Sequence, residues 1–178
     1  MSQPSTSTPS TPSTPYELAK AYSALPRTQK TPSGKVDNLW VLSVRKVTLE
    51  PPGLVLHLVN PDSRYVHVEK LPAAIDDADQ PQRLAVPVAL ALMKAFVEGM
   101  MNPNTPIAPH DRPKPFAPWS MAMLDSDQQL AKLVQRQLKG LGVDKDKRTF
   151  DTTTPQHASI ADQVWHDFFE KLSNAVEP

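Results

Sequence analysis

Residues 39–71 read LWVLSVRKVTLEPPGLVLHLVNPDSRYVHVEKL. Three apolar, β-branched runs are separated by two clusters of turn-forming residues, and this alternation decides the fold class. The first run, Leu39–Leu49, stops at Pro51-Pro52-Gly53. The second, Leu54–Val59, and the third, Arg64–Leu71, flank Asn60-Pro61-Asp62-Ser63. Pro suits the second position of a tight turn there and Asp the third. Three strands with short connections predict an antiparallel meander. An even-length turn sets His57 opposite Val66 and His67 opposite Leu56. The two histidines then face opposite sides of the sheet and cannot share a metal ion.

Beyond the meander the hydrophobic period changes from two to 3.6. Leu84–Met101 carries Val86, Leu90, Met93, Val97, Met100 and Met101 on one stripe, with Pro87 suited to a first turn and Asn102-Pro103 ending the helix. Six prolines between Pro103 and Pro118 predict an extended surface loop over 102–118. Trp119–Leu124 is short and apolar, hence a buried strand. Asp125-Ser126-Asp127 offers N-cap chemistry to a helix bearing Leu130, Leu133, Val134, Leu138 and Leu141, which Gly140 or Gly142 closes. An edge strand is expected at Arg148–Asp151. Thr154-Pro155 starts a last helix to Val176, with Ile160, Val164, Phe168 and Leu172 as its stripe and Trp165 and Phe169 widening it. The order βββαβαβα predicts an α/β domain: a mixed sheet, helices on its faces, and late strands parallel to the first.

Upstream of the first strand the composition shifts. Nine of the first fifteen residues are Ser or Thr and four are Pro, too little apolar surface to offset the entropy of ordering. Residues 1–35 are therefore read as a disordered tail and 36–178 as one domain. Tyr16–Leu25 is either a transient helical turn or a segment that docks on the domain. Thr8, Thr11, Thr14 and Thr31 each precede Pro and are candidates for proline-directed phosphorylation.

Composition narrows the chemistry. The chain has no cysteine, which excludes disulfides, thiol nucleophiles and thiolate metal sites. Lys+Arg and Asp+Glu are both 19, so no global basic field attracts nucleic acid or anionic membrane. The first fifteen residues contain no apolar signal region, and the run Leu84–Met93 is too short to span a bilayer. An intracellular protein, cytoplasmic or nuclear, is expected. None of the five glycines forms a phosphate loop, no Gly-x-Ser-x-Gly occurs, and no histidine pair has metal-ligand spacing.

The element order resembles that of ribonuclease H-like domains. Val55–Leu71 (VLHLVNPDSRYVHVEKL) is similar to the second and third strands of retroviral-type integrase domains. Met123–Val143 (MLDSDQQLAKLVQRQLKGLGV) is similar to their fourth strand, ending in Asp, with the following helix. The chain also resembles a group of domains in bacteria and fungi that share a Trp-led strand, a hairpin and a helix ending near Asn-Pro. The resemblance implies a two-metal nuclease site: one acid mid-way along the first strand, one after the fourth, and one on a late helix, holding Mg or Mn ions about 4 Å apart. Asp125 matches the second place, and Asp162, Asp167 or Glu170 offers the third. The first place is vacant. No acid lies between Leu39 and Leu49; Ser43 stands there, with Arg45 and Lys46 beside it. The plain structural role for Asp125 is a helix N-cap.

A fold pattern with a vacant site is read as a non-catalytic interaction or scaffolding module, without cofactor, whose partners are proteins and which touches no membrane. The Pro-rich loop would present its contact surface. The alternatives are a divergent metal-dependent nuclease using Asp125 with Asp167 or Glu170, or a weak nucleic-acid binder. For the latter, the aromatic–basic hints are Trp40…Arg45-Lys46 and Arg64-Tyr65.

Overall fold

Alternation along residues 39–71 builds the centre of the molecule. The computed structural model describes residues 12, 14–49, 51–73, 80–100 and 114–176. Five strands form one mixed sheet: β1 Leu39–Val47, β2 Gly53–Asn60, β3 Tyr65–Lys70, β4 Ser120–Met123 and β5 Asp151–Thr152, in the order β3-β2-β1-β4-β5. The first three strands are an antiparallel meander, and β4 and β5 run parallel to β1. The helices are α1 Pro15–Ser23, α2 Pro81–Val97, α3 Gln128–Gly140, α4 Lys145–Arg148 and α5 Pro155–Val176. The chain is thus α/β, a five-stranded mixed sheet with helices packed against it.

The pleat sorts side chains between two cores. Trp40, Leu42, Leu54, Leu56, Leu58, Met121 and Met123 face α1, α2 and α3. Val41, Val59 and Leu124 face Ala161 and Val164 of α5, forming a smaller core. Among the described residues no helix is long and apolar enough to cross a membrane.

Several expectations change. The hairpin pairs Asn60 with Tyr65, not with Ser63, so His57 opposes Val68 and His67 opposes Leu58. The loop is lengthened because the Asn60 amide oxygen accepts hydrogen bonds from the Ser63 N–H and hydroxyl, both at 3.0 Å, and Arg64 turns left-handed at φ 57°. A shift of two residues preserves the pleat, so the histidines still face opposite sides.

α2 begins at Pro81 and ends at Val97, with Gly99 at φ 72° and the Met100 N–H bonded to the Ala95 carbonyl at 2.7 Å. Asn102-Pro103 is therefore not what stops it; the left-handed glycine is. Pro87 lies inside the helix, past its first turn. Its buried stripe is Leu84, Ala85, Val88, Ala89, Leu92, Met93, Ala95 and Phe96, while Val86 is exposed. Packing against α1, α3 and the sheet buries the helix on several sides, so apolar periodicity selects no single face.

Gly142, at φ 84°, closes α3. Arg148 ends the short helix α4 instead of starting a strand, and β5 covers only Asp151–Thr152.

The packed domain starts before residue 36. Thr14 caps α1 in a capping box with Glu17, and Pro15 takes the first turn. Ala19 and Tyr22 are fully buried, and the Tyr22 hydroxyl donates to the Lys147 carbonyl at 2.9 Å. Of the two readings of Tyr16–Leu25, docking holds. Thr31 hydrogen-bonds within the loop that follows, and Thr8 and Thr11 lie outside the described residues. The end of the Pro-rich segment is packed instead of presented at the surface. Phe116 and Ala117 are buried, with Phe116 packed on Phe96 at 5.4 Å, and 102–113 lies outside the described residues.

Candidate functional site

The place where the resemblance asks for an acid is the middle of β1. Ser43 is buried there, and its neighbour across the ladder is His57. The Arg45 Nε donates to Ser43 Oγ at 2.9 Å, and His57 Nδ1 lies 3.5 Å from the same oxygen. The Arg45 guanidinium also bonds the Asp162 carboxylate on α5. Trp165 completes the group, with its ring centroid 5.2 Å from that of His57 and 5.9 Å from the Arg45 guanidinium carbon.

Burial pushes the His57 pKa down from 6.5 to about 4, and the Arg45 charge adds to the effect while Asp162 opposes it. The imidazole is neutral at neutral pH. Its Nε2 is buried and has no hydrogen-bond partner among the described residues. Ser and His side by side suggest nucleophilic chemistry, but the geometry opposes it. Ser43 is only 1% exposed, its oxygen accepts from a cation, and its would-be base is a weak one.

Of the acids named from sequence, Asp162 alone joins this cluster, through Arg45. Asp125 is exposed in a 3₁₀ turn over Asp125–Asp127 and does not cap α3. Asp127 occupies the cap position without a capping bond and is directed instead at β1. Burial raises its pKa, countered by the Val44 N–H and by Arg45. Asp162 is held by Arg45, Asp167 lies 3.8 Å from Arg64, and Glu170 is exposed. Among the described residues no group of three or more His, Asp or Glu is placed to hold a metal ion.

Among the described residues, two of the concave surfaces that lie elsewhere bear on function. The larger, about 440 Å³, opens where β1 begins and the β2–β3 hairpin turns. Trp40, Tyr65 and Phe116 supply aromatic walls, with Met100 at one side and the loop Thr31–Val36 at another. Trp40 meets Tyr65 edge-on at 6.2 Å and lies 6.1 Å from Phe116. The smaller, about 320 Å³, is lined by Lys132, Gln135, Arg136 and Lys139 of α3 and Arg148 of α4.

No protein-family model, curated protein or solved structure matches this chain.

The residues missed from sequence have a common cause. Pairing of Ser43 with His57 depends on β1–β2 register across a Pro-Pro loop, and only alternation in both strands hints at it. The aromatic cavity draws on five separated segments, one of them largely assigned to the tail.

Proposed function

We propose that this chain is a non-catalytic interaction module on a ribonuclease H-like core. Support for the core is the strand order β3-β2-β1-β4-β5, with antiparallel neighbours on one side of β1 and parallel ones on the other. One observation carries the functional reading. At the β1 position where metal-dependent nucleases of this architecture need a carboxylate, Ser43 is buried under the Arg45 guanidinium, which is itself neutralised by Asp162. The guanidinium occupies the space beside Ser43 where a metal would sit, and one acid of the late helix, Asp162, is spent on that cation.

The partner is a protein, and the Pro-rich segment 102–118, of which 102–113 lies outside the described residues, presents its contact. The proposal includes an intracellular location, cytoplasmic or nuclear, which a cysteine-free composition fits.

Single- and double-stranded DNA and RNA are incubated with the full chain and Mg²⁺ or Mn²⁺, and melting is followed with and without metal. No cleavage and no metal-induced rise in melting temperature are expected. Metal-dependent cleavage abolished by Asp125→Ala or Asp127→Ala would overturn the reading. Affinity capture from the native cell, with and without 102–113, tests the partner; a partner set indifferent to the deletion removes that segment from the proposal.

Weak nucleic-acid binding without catalysis has one observation in its favour. Lys132, Arg136 and Lys139 lie at i, i+4 and i+7 on α3, a helix with no acidic residue, and none of the three forms an ion pair among the described residues. Three phosphate contacts give a log–log salt slope of about −2 to −3. Anisotropy titration of a labelled oligonucleotide at several salt concentrations, with Lys132→Glu/Arg136→Glu as control, decides it.

A further inference from the structure

The aromatic cavity is built as a receptor and faces away from the Ser43 cluster. Its walls are fixed before anything binds. Trp40 and Phe116 are almost wholly buried and pack on each other and on Phe96. Tyr65 is 44% exposed, yet its hydroxyl donates to the Met100 carbonyl at 2.6 Å, which pins the exposed ring. Little side-chain freedom is left to lose on binding.

Backbone strain is concentrated at the same place. Arg64 and Met100, both at φ 57°, are the two non-glycine residues with positive φ among the described residues, and they flank Tyr65 and the cavity wall. Such conformations cost on the order of 1–3 kcal/mol each and cluster at binding sites.

The wall chemistry sets the ligand class. Its polar groups are already used: Trp40 Nε1 donates to the Asn38 side chain, the Asn60 amide bonds Asp37, Leu39 and Ser63, and the Tyr65 hydroxyl bonds Met100. The interior therefore suits an apolar, flat group lying against aromatic faces and edges. At the mouth Lys35 is the one charged side chain among the described lining residues. It is exposed and forms no ion pair among the described residues, whereas nearby Lys30 is paired with Asp37. A volume of about 440 Å³ falls in the range of small-molecule sites.

We infer that this cavity binds a small planar aromatic molecule carrying one anionic group, with the rings between Trp40, Tyr65 and Phe116 and the anion at Lys35. The inference is independent of the reading of the Ser43 cluster.

Two dyes of closely related shape test it on the full chain: anilinonaphthalenesulfonate, which is aromatic and anionic, and the neutral phenylnaphthylamine. Fluorescence titration should show one saturable site per chain, with the sulfonate bound about two- to fivefold more tightly, the range of an exposed ion pair. Lys35→Glu, a surface change that leaves the core intact, should weaken the sulfonate about five- to tenfold by turning attraction into repulsion and leave the neutral dye within about twofold. Tyr65→Ala should weaken both dyes. Lys132→Glu/Arg136→Glu should change neither.

The inference is overturned by no saturable binding to the folded chain, by sulfonate binding indifferent to Lys35→Glu, or by loss of binding in the α3 variant. Binding that appears only after 101–113 is replaced by a short Gly-Ser linker also overturns it, since the chain itself would then be the occupant.

Discussion

Acidification should destabilise the fold through one buried group, His57. Its pKa falls from 6.5 to about 4 because burial and Arg45 disfavour the imidazolium. The unfolded chain therefore binds a proton at a pH where the folded chain does not. A lowered histidine pKa gives stability that is complete above about pH 6.5 and lost as pH falls towards about 4. At about 1.36 kcal/mol per pH unit the full loss is about 3 kcal/mol, of which about 2 kcal/mol has gone by about pH 5. With a urea slope of about 2 kcal/mol per molar, the unfolding midpoint drops by about 1 M between about pH 7 and pH 5. Urea unfolding of the wild type at both values, alongside His57→Gln and His57→Leu, isolates the effect, because the other titrating groups are common to all three chains. Both variants should lose about 2 kcal/mol less than the wild type over that interval. An NMR titration of the His57 ring proton gives the pKa directly. Equal pH dependence in all three chains, or a His57 pKa near 6.5, would refute the reasoning.

Three further outcomes are expected. Glu69 accepts from His67 Nε2 at 2.9 Å and from Lys94 Nζ at 3.0 Å; burial pushes its pKa up, but those two bonds outweigh it and hold the carboxyl below its ordinary range. Glu69→Ala should cost about 2 kcal/mol in urea at neutral pH, and the wild type should lose this contribution as pH falls through the lowered Glu69 pKa while the variant does not. Tyr22→Phe leaves the buried Lys147 carbonyl short of one donor and should cost about 1 kcal/mol, whereas a chain starting after Leu25 loses Ala19 and Tyr22 from the core and should melt at much lower temperature. Asp127→Asn removes a partly buried charge, keeps an acceptor for the Val44 N–H and sacrifices no capping bond, so calorimetry should show an unchanged or slightly raised melting temperature.

Where period and punctuation agreed, the elements were readable before any coordinates. Leu39–Val47 alternates between two buried faces, Gly142 takes the left-handed φ that ends α3, and the Thr154 hydroxyl accepts the His157 N–H at 3.2 Å at the start of α5. Features decided by tertiary contact were not readable. Nothing local in Asn60 announces that its side chain will hold Ser63 and lengthen the hairpin. The Ser/Thr/Pro composition of the first fifteen residues masked an amphipathic α1, whose two buried residues matter only once α2 is there to receive them. At the candidate site, that β1 carries Ser43, Arg45 and Lys46 and no acid was legible from the sequence alone. The role of Asp127 in place of Asp125 was not, because a 3₁₀ turn shifts which carboxylate meets β1.

The bond from the Tyr22 hydroxyl to the Lys147 carbonyl joins residues 125 positions apart. On the ribosome, at about 5–20 residues per second, Tyr22 emerges roughly 6–25 seconds before its partner has been made. Throughout that interval the apolar side of α1 has no complete place to settle. α1 is thus secured only after α4 has been made, and a nascent chain or one truncated before Lys147 leaves the Tyr22 hydroxyl without that acceptor.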